Sequence, residues 1–200
     1  MFSAEHPKPM TYLSRCSRRP GGWSWISSLL GLALVAGLVV GARAETPEER
    51  ENALKAGFLF NFFSYVQWPR KANEQVEAPF VIGVVGDESC DPLRASLQGK
   101  TAKGRRIEVR PIDEVTPLDA FHVIFVSASK EARLRQILDQ TKHSAVLTVG
   151  EVPGFLREGG IINLVSAHNR FQIEINPEAA EKAGLTISSQ LLKLARIVKN

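Results

Sequence analysis

The sequence predicts an α/β domain. It has a mainly parallel sheet flanked by helices, an aromatic-rich helix at its start and an antiparallel hairpin towards its end. Three observations carry this reading. Short runs rich in β-branched residues recur at 80–85, 121–126 and 145–149, the form of strands buried on both faces. Helical segments alternate with them, as in a sheet built by crossovers. Residues 161–165 and 170–175 flank the turn Ala167-His168-Asn169, and in the second run Phe171, Ile173 and Ile175 alternate with Gln172 and Glu174. That is the pattern of a hairpin at one end of the sheet.

Residues 1–44 read as an export signal. Arg15, Arg18 and Arg19 precede an uncharged apolar run at 23–40, and Ala42-Arg43-Ala44 supplies a small-x-small cleavage site. The rival reading is an uncleaved anchor, since about 18 apolar residues approach the length of a membrane span. Processing is expected between Ala44 and Glu45, which leaves residues 45–200 as a single domain in the periplasm. The net charge of +4 comes from 25 basic and 21 acidic residues. Five of the basic residues and one acidic residue precede Glu45, so the remainder carries 20 of each and is neutral. The basic balance therefore gives no support to nucleic-acid binding. Cys90 is the one cysteine after the leader, which rules out an intramolecular disulfide. It is either a buried small hydrophobe or a thiol that pairs between chains.

The elements follow in order. Thr46-Pro47-Glu48-Glu49 has the form of a capping box with proline at the first helical position. Leu54, Phe58, Phe62 and Val66 mark the buried face of the helix, broadened by Leu59, Phe63 and Tyr65. Trp68-Pro69 ends it. Asn61, among these aromatics, is expected to be a buried amide with partners. Residues 70–79 form a loop before the strand at 80–85. Asp91-Pro92 opens a helix to Leu97, Gly99 and Gly104 flank a turn, and 107–112 is a strand. Ser129 caps a helix that turns Leu134, Ile137 and Leu138 inward. Asn176-Pro177 caps a short helix stopped by Gly184. A last helix from Ser188 places Leu191, Leu192, Leu194, Ala195 and Val198 against the domain.

Catalytic and metal signatures are sparse. The turn at Gly86-Asp87 lacks the glycine fingerprint and the lysine of a phosphate loop. There is no Gly-x-Ser-x-Gly, no CxxC and no metal-spaced Cys/His cluster. His122 reads as a hydrogen-bonded core residue, and His143 as a residue at a helix end. No cofactor or metal is expected. The residues singled out as a partner-binding surface are Phe155, in the loop before Gly159-Gly160, and His168, Asn169 and Arg170 at the hairpin turn. An exposed aromatic and an arginine are the side chains that dominate interface energetics, although a loop phenylalanine equally packs inward.

The run KAGFLFNFFSYVQWP from Lys55 to Pro69 resembles the opening helix of the YfiR-like periplasmic proteins. Further blocks match in order. They are Val85-Gly86-Asp87; VLTV at 146–149 with Gly154-Phe155 and GGIINLV at 159–165; and FQIEIN at 171–176 with GLTISSQLLKLA at 184–195. The resemblance covers nearly the whole chain after the leader. It implies a regulator without catalysis of its own. Such a protein binds the periplasmic domain of an inner-membrane diguanylate cyclase or sensor kinase, holds the output low, and is itself sequestered by an outer-membrane lipoprotein. A homodimer is also open. The best-known member contains disulfides, and the lone Cys90 departs from that. A second class remains, a small-molecule binder or enzyme using the carboxyl edge of the sheet near Asp87 and Ser127.

Overall fold

The computed structural model describes residues 46–69, 78–167 and 170–199. The expected leader, its processing point and most of the loop at 70–79 lie outside the described residues. Helix α1 (Pro47–Tyr65) starts as its sequence requires. The Thr46 hydroxyl accepts from Glu49 N–H at 3.1 Å, and the Glu49 carboxylate accepts from Thr46 N–H at 2.7 Å. Two orphan amides of the first turn are thus satisfied. The buried positions are Lys55, Ala56, Leu59, Phe62 and Phe63. Leu54 is 52% exposed and Asn61 is on the surface, so the buried stripe is rotated from the expected one. Lys55 takes the inward place because its charge is paired there.

After β1 (Val66–Gln67) come β2 (Phe80–Val85), α2 (Asp87–Leu97), β3 (Thr101–Ala102) and β4 (Arg105–Pro111). Next are β5 (Val123–Val126), α3 (Glu131–Thr141), β6 (Leu147–Gly150), β7 (Ile162–Ala167) and β8 (Arg170–Ile175). The chain ends with α4 (Pro177–Lys182), β9 (Thr186–Ile187), α5 (Ser189–Leu194) and β10 (Arg196–Ile197). Eight strands form one sheet in the order β10-β8-β7-β6-β5-β2-β4-β3, and β1 pairs with β9 in a separate two-stranded ribbon. The run from β4 to β7 is parallel, while β7–β8 and β3–β4 are antiparallel.

Alternation along the strands divides the core between the two faces of the sheet. Ile82, Val84, Val123, Phe125, Leu147, Val149, Ile162 and Leu164 pack with Leu59, Phe62 and Phe63 of α1 and Leu93 and Leu97 of α2. Val81, Val85, Ile124 and Val126 pack with Leu134, Ile137 and Leu138 of α3. Cys90 is buried and in no disulfide, with Arg94 Nη2 3.4 Å from its Sγ, and its burial agrees with the reading of it as a small hydrophobe. His122 is hydrogen-bonded as expected: Val81 N–H donates to Nδ1 at 3.2 Å, and Trp68 Nε1 donates to the His122 carbonyl at 3.1 Å.

Four boundaries differ from expectation. Helix α1 stops at Tyr65, because Val66–Gln67 pairs with β9 instead of continuing the helix to Trp68. Helix α2 begins at Asp87, one turn before Asp91-Pro92, so Pro92 lies inside it. Ser129 does not cap α3, since its hydroxyl is bonded to the Glu88 carboxylate. The last helix stops at Leu194, which is 75% exposed. The chain then becomes the edge strand β10, and Leu191 alone of α5 is fully buried.

Candidate functional site

Parallel register brings three strand ends level. Val85 pairs with Val126, and Val126 with Gly150. One residue further on, Gly86, Ser127 and Glu151 stand together at the carboxyl edge of the sheet, the side on which α/β domains bind ligands. Helix α1 crosses this edge. Lys55 Nζ lies 2.6 Å from Glu151 and 2.9 Å from Glu51, one helical turn earlier. Glu151 also accepts from Ala128 N–H at 3.3 Å. Ser127 Oγ lies 2.8 Å from Glu88 and 3.3 Å from Glu151, and its one proton serves the nearer carboxylate. Ser129 donates to Glu88 as well.

Electrostatics follow from this geometry. Lys55 is only 7% exposed. Burial works against its ammonium form, but bonds and attraction to Glu151 and Glu51 outweigh that and raise its pKa above the ordinary lysine value. The hydrogen bond from Ser129, with a backbone amide and Ser127, holds Glu88 below the usual carboxylate range. Ser127 is therefore surrounded by acceptors. Among the described residues, its side-chain hydrogen-bond partners are the Glu88 and Glu151 carboxylates. Among the described residues, no group of three or more His, Cys, Asp or Glu side chains is placed to hold a metal ion. The cluster acts as a clamp that fixes α1 to the sheet edge.

Beside the clamp opens a cleft of about 440 Å³, lined by residues that include Glu51, Glu151, Pro153, Gly154, Asn163, Ser166, Phe171 and Glu174. Asn163 is 4% exposed, and its Oδ1 has no hydrogen-bond partner. Glu174, directly across from Asn163 in the hairpin, meets Arg196 at 3.2 Å.

The expected partner surface fares unevenly. Phe155 is fully buried, at 0% exposure. Its ring fills the space over two glycines, Gly150 and Gly160, where an added Cβ would overlap it. It is a core residue that pins the loop after β6, and the reading of it as a surface anchor is corrected. Arg170 opens β8 opposite Ala167, which ends β7 on the same side of the sheet as the cleft. The Arg170 side chain, and His168 and Asn169 entirely, lie outside the described residues. Sequence reasoning missed Lys55, Glu51, Glu151 and Asn163 as site residues. A usable signal was present: Glu51 and Lys55 stand at i, i+4 on a helix, and Glu151 directly follows a buried strand.

A three-layer α/β domain with an N-terminal aromatic helix and a clamped carboxyl edge is the class defined by this geometry. The chain belongs to the YfiR/HmsC-like family (DUF4154), whose model matches residues 52–196. The proteins of this family are periplasmic regulators of diguanylate cyclases rather than catalysts. Among solved structures, the chain is similar to a conserved domain protein from Vibrio cholerae O1 biovar El Tor str. N16961, with 13% identity and a TM-score of 0.51 over 74% of this chain. At that identity the likeness concerns the fold alone, and the chain spans about 60% of that protein's length. No curated protein matches the sequence. Among the described residues, no helix is long and apolar enough to cross a membrane.

Proposed function

We propose that this chain is an exported, non-catalytic regulator. It binds the periplasmic sensor domain of an inner-membrane signalling protein and represses a diguanylate cyclase, which lowers cyclic di-GMP. The observation that carries this reading is the family match across residues 52–196, from the aromatic helix to the last strand. The net neutral charge from Glu45 onward agrees with it. Residues 1–44 are the export leader, and exported protein begins at Glu45 on N-terminal sequencing.

The test is affinity capture of the exported protein from membranes, with cyclic di-GMP measured in cells with and without the gene. Co-purification of a membrane protein with a cyclase output domain, and a rise in cyclic di-GMP on deletion, support the reading. Capture of no membrane protein together with unchanged cyclic di-GMP overturns it.

A further inference from the structure

We propose that the cleft at the end of β6 is a strand-addition slot for an extended basic segment of a partner protein. The inference rests on the partner-binding reading above and names where and what the partner contributes. It begins with a mismatch in strand length. Along one edge, β7 pairs with β8 from Ile162 to Ala167, but along the other it pairs with β6 only at Ile162 and Asn163. Residues 164–167 run on past the end of β6 for roughly 13 Å at the usual strand rise.

Strand geometry decides which backbone groups face the vacant edge. Asn176 N–H donates to the Ile161 carbonyl across the hairpin, while the Ile175 carbonyl turns away from β7 to accept from Val198 N–H. Ile175 is the register partner of Ile162. The polar groups of Ile162, Leu164 and Ser166 therefore point to the β6 side, because backbone direction alternates along a strand. The final parallel pairing, Gly150 with Asn163, uses Leu164 N–H. Leu164 C=O and both polar groups of Ser166 are left facing the cleft. Such an edge is a template for another strand.

The walls select the occupant. Glu51, Glu151 and Glu174 line the cleft. Lys55 answers the first two and Arg196 the third, so among the described residues the wall carries one net negative charge. Asn163 is an independent sign. A cross-strand neighbour of Glu174, it lines the cleft while its buried Oδ1 goes unpaired. A buried amide oxygen without a partner is uncommon and costly. A donor on a segment seated in the slot that reaches this oxygen would satisfy it. Acceptors and negative charge favour lysine or arginine side chains on that segment, and the exposed edge favours an extended backbone.

The experiment uses the exported protein and synthetic eight-residue peptides that alternate Thr or Val with Lys. A matched peptide carries Glu in place of Lys, and spermidine serves as a small-amine control. Amide exchange and chemical shifts are followed by NMR. With the Lys peptide at saturation, exchange at Ser166 N–H slows at least 10-fold, and the Glu peptide binds at least 10-fold more weakly. Ser166→Pro deletes the donor that faces the cleft, a position where β8 needs no bond from it. It lowers Lys-peptide affinity at least 10-fold, whereas Ser166→Ala retains it. No protection at Ser166 in the wild-type protein overturns the proposal whatever the variant does. Spermidine binding as tight as the Lys peptide overturns it in favour of a small-amine site. A Ser166→Pro protein that still captures its membrane partner as wild type does leaves the regulatory reading standing and removes the slot.

Discussion

Phe155→Ala tests whether this residue is core or interface, and the structure supplies the magnitude. The ring is fully buried and seated over Gly150 and Gly160. Removing a buried phenylalanine ring costs about 3–5 kcal/mol, transfer and cavity terms together. For a domain of this size that corresponds to a fall in Tm of about 6–20 °C. Gly150→Ala is expected to destabilise by about 1–3 kcal/mol, since its methyl group overlaps the ring and a packed core resists overfilling. In the double mutant the methyl group enters space that the ring has vacated. The combined loss should fall short of the sum by at least about 0.5 kcal/mol, the coupling expected of residues in contact. Urea unfolding monitored by circular dichroism gives all four corners of the cycle. An unchanged melt for Phe155→Ala, or additivity within error, would refute the wedge and return Phe155 to the surface.

Two further outcomes can be measured on the same preparations. Trp68 is half-buried, with Nε1 donating to the His122 carbonyl at 3.1 Å and its ring stacked 5.7 Å from Phe63; Trp68→Phe should cost about 1 kcal/mol for the lost bond, and Trp68→Ala less than the about 3–5 kcal/mol of a fully buried indole, with an unchanged melt for both placing the ring outside the core. The Lys55 pKa is raised in the fold, so its contribution is complete below the unfolded value of about 10.4 and is lost as pH rises through the folded one. Lys55→Met should remove about 3 kcal/mol at neutral pH and flatten the alkaline limb of stability against pH, and an alkaline limb identical to wild type would show that the clamp does not titrate.

Much of the fold was legible because local chemistry and global packing agree. Thr46, Pro47 and Glu49 announce the start of α1, and the capping box forms as spelled out. Residues 80–85 are apolar without alternation, and all six are buried in the middle of the sheet. Legibility failed where a tertiary partner overrode a local rule. Proline at the first helical position is a sound signal, yet α2 begins a turn earlier, where the chain leaves the strand at Gly86. Ser129 has the chemistry of a cap, but Glu88, 41 residues away, takes its hydroxyl. Lys55 and Leu54 exchange faces because Glu151, nearly a hundred residues on, waits at the sheet edge. The site was illegible for the same reason. Its members are made neighbours by parallel register, and register is not written in any one segment.

The clamp and the slot share Glu51 and Glu151, and this joins the two ends of the domain. Helix α1 supplies Glu51 and Lys55, whereas β7 and β8 supply the vacant edge, Asn163 and Glu174. A segment seated against β7 would meet carboxylates that already hold α1, so occupancy and the seating of that helix draw on the same charges. A ligand that binds only the folded form stabilises it by about 2.7 kcal/mol at a hundredfold excess over its Kd. Because α1 helps to build the cleft wall, that stabilisation includes the anchoring of α1. A rise in Tm with the Lys peptide that is larger in Lys55→Met, where Glu51 and Glu151 are left to the peptide although Lys55 forms no part of the strand edge, is the signature of that coupling. A rise of equal size in both proteins would separate the slot from the clamp and confine recognition to the backbone of β7.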